Sequence, residues 1–171
     1  KARVVILAHQ GRPDDKDFTS LKDHAKLLNK YVKVTFIPDI LGEKAVKAIS
    51  SMKDGQAILL ENIRSIPEEL APKEPNPITQ TLAPLFDLYV NDAFSVSHRD
   101  QTSITGFPKI LESAVGRLMQ HELESIEKLN VQNALFILGG EKEEDIKIIK
   151  NCQGKVVTCG IFGQLCAIAK G

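Results

Sequence analysis

The chain has 171 residues, 43% of them hydrophobic and 26% charged, an ordinary globular balance that excludes disorder or collagen-like structure as a description of the whole. Lys and Arg number 22 and so do Asp and Glu, so no global positive field recommends nucleic acid or a membrane surface as a partner, and any anion site must be built by position. The longest apolar runs, 4–8 and 134–138, fall far short of the roughly twenty residues of a membrane span.

Short apolar runs alternate with stretches of helical periodicity. Strands are predicted over 3–8, 32–37, 57–61, 88–92, 134–138 and 155–158, because continuous apolar runs of this length are typical of parallel strands buried on both faces. Between them, Thr19 or Ser20 can cap a helix that runs to Leu28, and the segments 43–52 and 78–86 place apolar residues three and four apart. His24 and His121 fall in helical stretches and are expected to be exposed. The proline-rich stretch 67–77, PEELAPKEPNP, reads as a solvated surface loop. This order predicts an α/β fold: a doubly wound, Rossmann-like parallel sheet in three αβα layers.

Segment 116–129, GRLMQHELESIEKL, puts Leu118, Met119, Leu123, Ile126 and Leu129 on one side of a longer amphipathic helix. It is expected to connect two domains, giving a first domain over 1–115, an interdomain helix over 116–130 and the opening βαβα of a second domain over 131–171. Those last residues are too few to close a core alone. Cys152, Cys159 and Cys166 are odd in number and seven apart, which suits neither a disulfide framework nor a zinc site. Buried structural thiols in a reducing, cytoplasmic setting are the simpler expectation. A start at Lys1 rather than Met points to a fragment or a processed product.

Ligands of open parallel sheets bind beyond the carboxyl ends of the strands. There the sequence places AHQGRP with His9 and Arg12, LLENIR with Arg64, and YVNDAFSVSHR with His98 and Arg99. Arginine forks match carboxylate and phosphate oxygens, so three of them after three strands suggest a small anionic substrate. Separate surface salt bridges are the alternative. Asp92 either touches that site or orders its loop with Asn91. In FILGGEKEED, Gly139 and Gly140 precede Lys142 at a helix start, an arrangement suited to phosphate. Simple turn glycines are the alternative there, since neither a P-loop nor GxGxxG is present. The closing TCGIFGQLCAIAKG repeats the strand-turn-helix theme.

AHQGRP, LLENIR, YVNDAFSVSHR, GFP, GRLMQHELESIEK, LGGEKEED and AKG resemble, in order and spacing, the phosphoglycerate kinase family, and HQGRP most resembles its archaeal branch. The resemblance covers essentially the whole chain. It implies an N-terminal domain for 3-phosphoglycerate and a C-terminal one for nucleotide with Mg2+, closing so that a phosphoryl group passes between 1,3-bisphosphoglycerate and ADP. By the same likeness His9 and Arg12 bind phosphoglycerate, Arg64 and Arg99 grip its phosphate beside His98, and Lys142 is the catalytic residue that meets the transferring phosphoryl. Gly139, Gly140, Lys142 and Gly160 lie on the side of the nucleotide, ATP or ADP. No protein-bound metal, nucleic acid or membrane partner is implied.

The family's opening RVDFNVP strand and most of its nucleotide domain are not in this sequence, so a central fragment, inactive by itself, is expected. Where many members carry GGAKVSDK this chain has GGEKEEDI. Ile146 stands at the second lysine, Glu141, Glu143 and Glu144 add negative charge, and Cys159 and Gln164 replace a common Gly and Asn. The phosphoglycerate half follows the family more closely than the nucleotide half, and the alternative reading is a non-catalytic, anion-binding degenerate homologue.

Overall fold

A computed structural model describes residues 2–129, 131, 134–140 and 154–171. Three strands, β1 (Val4–Ile6), β2 (Val34–Ile37) and β3 (Ala57–Leu60), form a parallel sheet in the order β1–β3–β2. Val5 and Thr35 both stand in register with Ile58. Side chains alternate along a strand, so Ile58 and Leu60 join one buried cluster with Ile49, Ile78, Leu82 and Phe107, while Leu59 joins a second with Leu21, Ala25 and Val34. A central strand buried on both faces has no room for polar alternation, which is why AILL is a continuous apolar run.

The helix α1 (Lys22–Leu28) follows the turn after β1, and α2 (Glu43–Ser50) follows β2. No side chain caps α1 at its own N-cap, Leu21. The Glu61 carboxylate does that work from the end of β3, accepting the Leu21 N–H at 2.9 Å and the Ser20 hydroxyl at 2.6 Å. His24 is half-buried rather than exposed, and its Nδ1 has no hydrogen-bond partner; His121 is exposed as expected.

The stretch 67–77 is a solvated loop only over its middle, 71–75, and not at its ends. It contains α3 (Pro67–Leu70) and the cap of α4 (Pro77–Leu82), and both Glu69 and Asn76 are fully buried. Proline at the first position of each helix fits, because its missing N–H is not needed there. The Asn76 side chain accepts the Ile78 N–H at 3.0 Å and donates to Thr102 Oγ1 at 2.9 Å.

β4 (Tyr89–Asn91) pairs in parallel with β5 (Ser113–Val115), not with the first three strands, so the expected single sheet is divided into separate ladders. Between these two strands lie a 3-10 turn, Phe94–Val96, and a π-helical turn, Thr102–Gly106. The helix α5 (Arg117–Glu127) buries Met119 and leaves Leu118 and Ile126 about half exposed.

The chain divides into two compact units, Lys1–Gln120 and His121–Gly171, the division falling inside α5. In the second unit β6 (Leu135–Gly139) pairs in parallel with β7 (Lys155–Cys159), and α6 (Gly160–Lys170) follows directly. Phe162 is its buried anchor. Cys159 is exposed and Cys166 half-buried, both free, which corrects the expectation of buried thiols; Cys152 lies outside the described residues.

Candidate functional site

The turn after β1 is fixed by Gly11. Its φ is +64°, and a Cβ there would stand 2.6 Å from the Phe18 backbone nitrogen, so no other L-residue fits without strain. The carbonyl of Gly11 accepts Arg64 Nη1 at 2.8 Å.

The end of β3 reaches back to that turn because β3 is the central strand beside β1. Asn62, buried, donates from Nδ2 to the carbonyls of Gln10 at 2.8 Å and Thr19 at 2.9 Å, and its Oδ1 accepts the Arg64 N–H at 3.2 Å. The Ile63 N–H bonds the Ala8 carbonyl at 3.1 Å. Arg64 is thereby delivered to the mouth of the β1 turn. The third contributor comes from the other ladder: the turn Phe94–Val96 follows β4, and the Arg99 N–H bonds the Val96 carbonyl at 2.9 Å.

These segments enclose one open cavity of about 460 Å³ lined by His9, Arg12, Arg64 and Arg99, with Asp15, Asp17 and Ser95 among the other walls. Three arginines thus meet, although only Arg12 and Arg64 follow strands of one sheet. Among the described residues none of the three is in a salt bridge. Arg64 is only 8% exposed, and its Nε is buried without a partner. Burial, followed by the repulsion of Arg12 and Arg99, lowers the pKa of Arg64 against the pull of Glu69 and Asp15. A buried donor without an acceptor, gathered with like charges, favours an oxyanion that would satisfy both. Burial and then Arg64 also lower the His9 pKa.

His98 is exposed and does not line the cavity. Asp92 does not line it either: its Oδ1 accepts the Met119 N–H at 2.9 Å and caps α5 from the neighbouring strand end. Asn91 Oδ1 accepts the Ala93 N–H at 3.0 Å, so this pair orders the loop. In the second unit, Gly139, Gly140 and Gly160 meet at the carboxyl ends of β6 and β7, where the Phe162 N–H bonds the Gly140 carbonyl at 3.1 Å and a Cβ on Gly160 would stand 3.3 Å from Gly140 N. Lys142, Glu141, Glu143, Glu144 and Ile146 lie outside the described residues. Reading by charge alone missed Glu61 and Asn62, although ENIR directly after an apolar strand held the signal: a carboxylate and an amide placed where loops need donors and acceptors.

The profile of the family described as phosphoglycerate kinase matches residues 1–170. The chain belongs to the phosphoglycerate kinase family. Among its relatives, the phosphoglycerate kinase of Saccharolobus solfataricus is 44% identical over 98% of this chain and 45% of its own length; that of Methanopyrus kandleri is 40% identical over 99% of this chain and 46% of its own. The chain thus spans less than half the length of these relatives. The crystal structure of phosphoglycerate kinase from Pyrococcus horikoshii OT3 superposes with a TM-score of 0.84 at 32% identity, covering 99% of this chain and 46% of that one. The structure from Coxiella burnetii gives 0.73 at 30% identity over 94% of this chain and 42% of its own. The family's α/β fold is therefore the fold of this chain.

Proposed function

We propose that the basic cavity binds 3-phosphoglycerate and 1,3-bisphosphoglycerate, and that the protein takes part in reversible phosphoryl transfer between 1,3-bisphosphoglycerate and ADP, giving 3-phosphoglycerate and ATP. The observation that carries this reading is the convergence of Arg12, Arg64 and Arg99 on one cavity, none of the three being in a salt bridge among the described residues. Guanidinium forks hold oxygens of the carboxylate or phosphate in two-pronged contacts, which fixes orientation as well as charge. His9, kept neutral by burial and Arg64, adds a hydrogen bond whose direction follows the ligand's protonation. His98 is offered no such role, since it is exposed beside Arg99.

On the nucleotide side, Gly139, Gly140 and Gly160 leave backbone exposed at two strand ends and at the start of α6, where phosphate oxygens are favoured. Lys142 supplies the mobile charge for the transferring group, in chemistry that is mostly positioning and electrostatics. Among the described residues no group of three His, Cys, Asp or Glu could hold a metal; Mg2+ enters as part of the nucleotide substrate. No helix among those residues is long and apolar enough to cross a membrane.

The test is an assay of phosphoglycerate-dependent ATP consumption on the polypeptide as its source produces it. Turnover is expected, with Lys142→Ala lowering it on the order of 100-fold or more. Phosphoglycerate binding with no turnover would favour the degenerate, non-catalytic homologue that Ile146 and the glutamates around Lys142 suggest. The 171 residues alone are proposed to be inactive, and turnover by them that is lost on Lys142→Ala would overturn that part.

A further inference from the structure

Glu69 is a carboxylate with no exposure at all, in a helix of four residues that starts three positions after Arg64. A buried carboxylate costs free energy unless it is well paired. Its partners here are both on Ser103: the hydroxyl donates to Oε1 at 2.6 Å and the backbone N–H to Oε2 at 2.8 Å. One residue earlier on each side, the Thr102 hydroxyl donates to the Glu68 carbonyl at 2.6 Å and accepts from Asn76 Nδ2 at 2.9 Å. The Ser103 carbonyl in turn accepts the Tyr89 hydroxyl at 2.7 Å, and the Tyr89 ring stacks on buried Phe107. Positions 68–69 and 102–103 are therefore clamped together by a set of short, half-buried hydrogen bonds around a fully buried carboxylate. The first pair follows the turn that carries Arg64, and the second follows Arg99.

Resting on the reading of the cavity as a phosphoglycerate site, we propose that Glu69 is a positioning residue that holds the Arg64 and Arg99 segments in register through Thr102 and Ser103. Two arginines that arrive from different ladders have no hydrogen-bonded strand to fix their spacing, so a side-chain clamp sets it. Glu69 does not line the cavity; its charge acts on Arg64 from beyond the wall, opposing the repulsion of Arg12 and Arg99. Burial pushes the Glu69 carboxyl up against the pull of Ser103 and Arg64, and burial with the Glu69 charge pushes Tyr89 up to about 12. The carboxylate at the centre of the clamp is fully buried and bonded through both oxygens to one residue, which holds the geometry stiffly.

The experiment measures KM for 3-phosphoglycerate and for ATP on the polypeptide as its source produces it. Glu69→Ala is expected to raise the phosphoglycerate KM by about 10-fold, with the ATP KM within about 2-fold, and Ser103→Ala by about 3-fold. Glu69→Gln keeps an acceptor and a donor for Ser103 and should restore the phosphoglycerate KM to within about 3-fold of wild type. A merely structural Glu69 would lower the amount of folded enzyme without separating the two KM values, and that result would overturn the proposal. Should Glu69→Ala fail to fold, Ser103→Ala decides, and an unchanged phosphoglycerate KM there overturns it equally. If Arg64→Ala and Arg99→Ala also leave that KM unchanged, the cavity reading itself has failed; if they raise it while Glu69→Ala and Ser103→Ala do not, only the clamp has.

Discussion

His9 is half-buried beside Arg64, and both hold its pKa below the ordinary 6.5. The empty cavity therefore contains a neutral imidazole at pH 7, and a bound oxyanion, which favours imidazolium, raises that pKa. Anion uptake is then coupled to proton uptake, so affinity rises as pH falls through the bound-state pKa towards the free-state one, by at most about tenfold per unit. Sulfate, which does not titrate in this range, is the suitable probe. Calorimetric titrations from pH 7.5 to 5.5 should show this slope in the wild type and lose it in His9→Gln; equal slopes in the two would contradict the assignment.

Glu61 behaves in the opposite sense. Burial raises its pKa, but the Ser20 hydroxyl and the N–H groups of Leu21 and Asn62 outweigh burial and hold it below the ordinary 4.5. A depressed carboxyl stabilises the fold above its unfolded pKa and loses that contribution as pH falls through the folded value. Glu61→Ala should cost about 1–2 kcal/mol at pH 7, the scale of a lost helix cap, and the gap to wild type in denaturant melts should close below about pH 4.5. The sequence made Arg64 legible as a cation after an apolar strand; ENIR also held a signal at Glu61, but two of its three partners, Ser20 and Leu21, lie about forty residues away and only the fold brings them to it.

Among elements, the six predicted strands all form, with ends displaced by up to two residues. Their short apolar runs are local and therefore readable, but the expected burial on both faces holds only for β3, whereas β4, β6 and β7 are part exposed. β5 was hidden because Ser113, Ala114 and Val115 are all exposed and only three residues long, too short and too mixed to show a period. The proline-rich 67–77 stretch misled for a related reason: prolines at helix starts look like prolines in loops, and only the burial of Glu69 and Asn76 tells them apart. The division into separate ladders was equally out of reach, since which strand pairs with which is decided by tertiary packing.

Two turns offer tests at this scale. Gly11→Ala puts a side chain at φ +64° and within 2.6 Å of the Phe18 nitrogen, so it should cost about 1–3 kcal/mol. It should also weaken phosphoglycerate binding, because the Gly11 carbonyl holds Arg64; thermal melts and titration of the same variant check both. At the other end, Asp92 caps α5 and stands where a Cβ on Gly116 would go, 2.3 Å from its Cγ. Asp92→Ala should lower stability by about 1 kcal/mol and leave phosphoglycerate affinity nearly unchanged; a large loss of affinity in calorimetry would place Asp92 in the site after all.

For the whole molecule, the sequence motifs were strong enough to show the family, and the profile match and the TM-score of 0.84 agree. What those motifs could not show is how the cavity is assembled: β1 and β3 meet as neighbours in one sheet, whereas the Arg99 segment comes from another ladder. Convergence of charge is a property of the folded unit, and it is the central claim here. Its most direct test is calorimetric titration of 3-phosphoglycerate into the chain and into its Arg64→Ala and Arg99→Ala variants. Saturable binding, weakened by roughly 1.5–3 kcal/mol in each variant, is the predicted result; wild-type affinity in both variants would contradict it.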